Sequence, residues 1–189
     1  MIKYFFLISC LLYPNPFHQW INDHSDILYK DIKSVNFTLK IYSKDFIFNE
    51  DSILIGKLTV NNKKQFRFEL GSRIIISNGK YWKNYDLRTN QIIILEKDKK
   101  IEKTLFSLFK YKYLKSIPIK LIDKNDYTIK FFDKWTRTIF NFESDTMGIK
   151  SIIVKYDDNI SEISSISLKE EQEINLEIGD INTEIFDFR

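Results

Sequence analysis

The chain has 189 residues, 43% of them hydrophobic and 29% charged, enough to bury one sizeable core and too apolar for a disordered polypeptide. Its 29 basic residues nearly balance 26 acidic ones, for a net charge of +3, so composition gives no argument for nucleic acid. One cysteine and two histidines exclude a disulfide framework and a cysteine-rich metal site within one chain.

The N-terminus reads MIKYFFLISCLLYPNPF. Lys3 precedes an apolar run from Tyr4 to Tyr13, which Pro14 and Pro16 end. That pattern predicts a secretory signal over residues 1–17 and one domain over residues 18–189. It is too short to span a bilayer as a helix. Two other readings stand beside it: a lipoprotein signal "LISC" with Cys10 lipidated, and a cytoplasmic start.

From Gln19 to Val35 the apolar residues Trp20, Ile21, Ile27, Leu28, Ile32 and Val35 fit one helical face. The period then changes to two. In SVNFTLKIYS, Val35, Phe37, Leu39 and Ile41 alternate with polar neighbours, as in a strand with two unlike faces. SILIGKLTVN, QFRFEL, RIIIS, KYWKNYDL and QIIILEK continue the alternation. Asn78-Gly79 is a hairpin signal, because both residues tolerate positive φ. Short turns between such strands predict an antiparallel meander.

IEKTLFSLFKYKYL (Ile101 to Leu114) returns to helical spacing, with Ile101, Leu105, Leu108 and Phe109 on one face. Pro118 stops it. Strands resume at DYTIKFFD, TRTIFNFES, GIKSIIVKYDD, ISEISSISLKE and INLEIGDINTEIFDF. The fold expected is α+β and mainly β: an antiparallel sheet of about 10–11 strands curling toward a barrel, with two helices over its mouth. Two helices cover such a sheet without filling it, which leaves either a hydrophobic cavity or a space packed by Phe and Tyr.

Catalytic and metal chemistry finds little to work with. His18 and His24 lie six apart near the N-terminus, which is not a helical metal spacing. A Ser-His-Asp or Cys-His arrangement would need a histidine elsewhere in the body. The pairs Glu170-Glu171 and Asp157-Asp158 read as solvated surface. No enzyme, no metal and no cofactor are expected.

The ordered set Gly56, Leu58, Val60; Phe66, Arg67, Phe68; Ile74 to Ile76; Ser77, Asn78, Gly79, Lys80; Tyr85, Asp86 resembles the outer-membrane lipoprotein carrier family of the LolA type. SVNFTLKIYS looks like that family's first strand, and Phe186 to Phe188 like its closing aromatic strand. The resemblance implies an incomplete barrel with a helical lid over a hydrophobic cavity for lipoprotein acyl chains. Phe37, Leu39, Leu58, Val60, Phe66 and Phe68 would form the cavity wall, with Phe66 matching a cavity aromatic of the family. Leu105, Leu108 and Phe109 would face inward from the lid. It further implies a periplasmic monomer that takes acylated lipoproteins from an inner-membrane ABC transporter and passes them to an outer-membrane acceptor, with no nucleic acid involved. The family's Arg-Pro, whose arginine helps hold the lid closed, is replaced here by Asn62 and Lys63, and the tryptophan after Gly-Lys comes one place early, as Trp82.

Overall fold

The computed structural model describes residues 16–42, 52–117, 119–123, 126–129, 136–142, 148–156, 159–179 and 182–189. The first fifteen residues, and with them most of the expected signal, lie outside the described residues.

The alternating segments form strands. Strands β1 (Ile32–Tyr42), β2 (Ser52–Asn61), β3 (Phe66–Leu70), β4 (Arg73–Ser77), β5 (Tyr81–Asp86) and β6 (Gln91–Glu96) make a meander in chain order. A second meander runs through β7 (Ile119–Asp123), β8 (Asp126–Ile129), β9 (Thr136–Phe142), β10 (Ile149–Tyr156) and β11 (Asn159–Glu170). The two join where β11 pairs antiparallel with β1. β12 (Glu184–Asp187) adds to the far edge, parallel to β6. The result is one open sheet of 12 strands whose edges are β12 and β7: an incomplete barrel.

Polar side chains build the turns. The Asn61 carboxamide oxygen accepts the backbone N–H groups of Lys63 and Gln65 at 3.0 Å each, so Lys64 can take φ +62° with the hairpin still closed. Asn78 does the same for Lys80 and Tyr81.

Among the described residues four short helices lie between or before the strands: α1 (Pro16–Asp23), α2 (Ser25–Leu28), α3 (Lys99–Ser107) and α4 (Tyr111–Ser116). Phe17, Ile21 and Leu28 pack with Leu114, Ile117 and Phe142 into one core cluster. Pro16 opens α1, and Phe17 is 2% exposed, so the first helix includes the last two residues of the expected signal. Pro suits that first helical position because it gives up no helical hydrogen bond there.

Four elements differ from the sequence reading. The helix expected over Gln19–Val35 ends at Leu28, and β1 already begins at Ile32. Buried Lys33 is the reason: its ammonium donates to the Leu28 and Lys30 carbonyls at 3.0 and 2.7 Å and so ends the helix. The helix expected over Ile101–Leu114 is two helices, because Lys110 is extended at φ −101°, ψ 116°. Last, among the described residues of the strand expected over 174–188 only β12 is strand, and IKLID (β7) is a strand that the sequence reading passed over.

Between β11 and β12 the chain crosses the outer face of the sheet. Glu171 accepts from Ser34 Oγ at 2.7 Å and pairs with Lys57 at 2.7 Å. Arg67 Nη1 donates to the Asn175 and Glu177 carbonyls at 3.3 and 3.1 Å. Ile178 then packs on Tyr85, Ile92 and Ile94. This strap buries the outer apolar residues of β4–β6, and no helix of the described residues lies there.

Candidate functional site

Residues directly opposed on neighbouring strands project to the same face, so the register defines the inner wall row by row. One row runs Lys33, Val60, Phe66, Ser77, Trp82, Leu95. The next runs Val35, Leu58, Phe68, Ile75, Asn84, Ile93. Phe37, Gly56 and Leu70 begin a third. Leu39 opposes Leu54 on one side and Ile163 on the other, further along the strand. The wall is therefore apolar across five strands, with polar residues at set places.

α3 and the link after it lie on the first two rows. Val60, Phe66 and Phe109 are buried together, and Val35, Leu58, Phe68, Ile75, Trp82, Leu105, Phe106 and Leu108 pack against them. Four of the six wall positions read from sequence, Leu58, Val60, Phe66 and Phe68, thus share one cluster with all three lid positions. Phe37 stands one row out and stacks on Phe68 with ring centroids 6.3 Å apart. Its ring also lies on Gly56, where an added Cβ would come within 2.3 Å of the Phe37 ring tip. Leu39 lies outside the lid-covered cluster. Leu108 and Phe109 sit on the link between α3 and α4, beyond the helix expected to carry them.

The lid has a polar tie that the sequence reading missed. Glu102, on α3, is 6% exposed. Its Oε1 accepts Ser77 Oγ–H at 3.0 Å and the Trp82 indole N–H at 2.9 Å, and Lys97 approaches Oε2 at 3.6 Å. Both donors belong to the first wall row. Asp98 caps the helix by accepting the Lys100 and Ile101 N–H groups. The buried face of α3 is thus Glu102, Leu105, Phe106 and then Phe109, while Ile101 is 52% exposed. Asn62 and Lys63 sit in the β2–β3 turn, where the Asn62 N–H reaches Asp31 at 3.4 Å; the tie between lid and wall is made by Glu102.

A cleft of about 350 Å³ lies between the β2–β3 turn and the α3–α4 link, with Val60 and Phe109 in its lining. A hollow of about 600 Å³ opens on the outer face, lined by Asn36, Ile55, Lys57 and Glu69 and by the Gly56 and Gly71 backbone. Among the described residues no group of three His, Cys, Asp or Glu is placed to hold a metal, and no described helix is long and apolar enough to cross a membrane.

No family model and no curated protein matches the sequence. Solved structures do. The fold is shared with an uncharacterized conserved protein from Thermus thermophilus, at TM-score 0.50 and 11% identity over 90% of this chain and 98% of that one. A LolA superfamily protein from Nitrosomonas europaea is similar at TM-score 0.43 and 11% identity, over 83% of this chain and 94% of that one. The open sheet with helices on its inner face is the architecture that the sequence resemblance implied.

Proposed function

We propose that this protein is a non-enzymatic carrier of acylated lipoproteins, with the inner wall as the seat of the acyl chains. The observation that carries the reading is the pairing of an apolar wall across β1–β5 with a lid that is packed on it but tied by one carboxylate. Each methylene moved from water onto such a wall is worth about 0.8 kcal/mol, so partial burial of a few acyl chains outweighs opening a lid that costs a few kcal/mol. Phe, Leu and Ile attract by area and not by directional bonds, which lets cargoes of different sequence share the wall. In this reading the chain is periplasmic, receives cargo from an inner-membrane ABC transporter and delivers it to an outer-membrane acceptor.

Binding of a triacylated lipopeptide, set against its unacylated twin, tests the proposal. The protein is expected to bind the acylated form alone, and Phe66→Glu, which puts a charge at a 3%-exposed wall position, is expected to abolish that binding. A folded wild type with no acyl-dependent binding would mean that Phe106 and Phe109 fill the wall permanently, and the domain would then be structural.

A further inference from the structure

We infer that the cleft beside the lid receives an anionic head, so that the cargo is an acylated peptide with acidic residues next to its lipid; this rests on the carrier reading above. Four lysines line the cleft, Lys33, Lys64, Lys110 and Lys112, and no carboxylate does. Three lysines elsewhere are matched, Lys30 with Glu170, Lys57 with Glu171 and Lys97 with Glu102, while Lys83 on β5 and Lys99, Lys100 and Lys103 on α3 make no ion pair among the described residues but stand apart from the cleft. Among the described residues the four cleft lysines have no carboxylate within ion-pair distance. Burial lowers the pKa of Lys33, and the nearby Asp31 carboxylate, which also accepts the N–H of Asn62 in the cleft lining, raises it by a smaller amount. Four lysines and no carboxylate in one lining give the cleft a positive local field.

The cleft is also built for a joined head and tail. Lys33 is fixed in place, 4% exposed and held by two backbone carbonyls, while Lys64, Lys110 and Lys112 stand exposed at the rim. Val60 and Phe109 line the cleft and also belong to the cluster of wall and lid. A ligand whose charge rests among the lysines therefore has its apolar part against the wall. The hollow on the outer face lacks this bias, since both Lys57 and the acidic Glu69 line it.

The test uses the full mature chain and two triacylated lipopeptides with identical acyl groups, one with an all-glutamate head and one with an all-lysine head, each beside its unacylated twin. The acidic head is expected to bind on the order of tenfold tighter, as a few partly exposed ion pairs would give, with the preference shrinking as salt rises. The triple variant Lys64→Glu, Lys110→Glu, Lys112→Glu, all at exposed positions, is expected to reverse the preference. Equal affinity for the two heads in the wild type overturns the inference and leaves the carrier reading standing. Acylated and unacylated peptides binding alike overturns the carrier reading, and the inference with it. Vesicles of phosphatidylglycerol that displace the acidic lipopeptide as well as a second acidic lipopeptide does would assign the cleft to lipid headgroups and overturn the peptide cargo.

Discussion

Gly56 carries no side chain at the spot where the ring of Phe37 lies. A glycine inside a strand weakens it unless something covers the bare backbone, and here an aromatic from the neighbouring strand does. Gly56→Ala is expected to push the ring away and cost about 1–3 kcal/mol, as overpacking does. Thermal unfolding of the single variant and of the pair Gly56→Ala with Phe37→Leu decides it: the alanine should cost much less once the ring is gone, and an equal cost in both backgrounds would refute the clash. At this scale the sequence was a good guide to which residues face inward, because alternation assigns faces. Phe66 and Val60 were legible in that way. How far along the strand the lid reaches was not, since period two does not say which row a helix lies on, and so Leu39 was grouped with residues two rows away.

Among the elements, α3 depends on a group that apolar pattern-reading discards. A search for a stripe of hydrophobic residues passes over Glu102 and takes Ile101 instead, and the whole face is then rotated by one position. The carboxylate belongs on the buried face because Ser77 and Trp82 supply it with donors, and those donors come from a strand that is remote until the sheet has formed. Glu102→Ala would leave a buried hydroxyl and an indole N–H without an acceptor, at a cost of about 1–3 kcal/mol. The loss should fall on lid closure more than on the sheet. Hydrogen exchange is expected to quicken in residues 99–109 while β2–β5 keeps its protection, whereas Glu102→Gln, which retains one acceptor, should exchange much closer to wild type. Uniform loss of protection across the sheet would mean that Glu102 holds the fold and not the lid.

For the molecule as a whole, the strap decides how the outer face is closed. Its first tie is Glu171, whose carboxyl is held below the usual glutamate range by the Lys57 ammonium and then by the Ser34 hydroxyl. A carboxylate with a depressed folded pKa contributes stability that is fully present above its unfolded pKa and is lost as pH falls through the folded one. Acidification from neutral pH to below the ordinary glutamate range is therefore expected to weaken the strap. Glu171→Gln should be less stable at neutral pH and should lose less on acidification; denaturant midpoints at a series of pH values test this, and parallel curves for the two proteins would dismiss the tie. The local part of this architecture was readable from sequence, since β1–β6 is joined by turns with recognisable Asn and Gly chemistry. The strap was not, because INLEI alternates like a strand and nothing in it reveals that its partner is a face and not an edge. The parallel β12–β6 pairing was equally hidden, being set by where the strap ends.

The pairing of β1 with β11 has a consequence in time. Ser34 and Glu171 touch across 137 positions of chain, so the first strand has its second neighbour only after nearly the whole polypeptide is available. Contacts of such long range make for slow folding. The hairpins of β2–β6 can form while the chain is still emerging, but β1 keeps one open edge, and an unpaired edge invites pairing with other chains. A polypeptide threaded N-terminus first through a membrane would remain incomplete, and easily pulled, until Asn159–Glu170 arrived to settle beside its beginning.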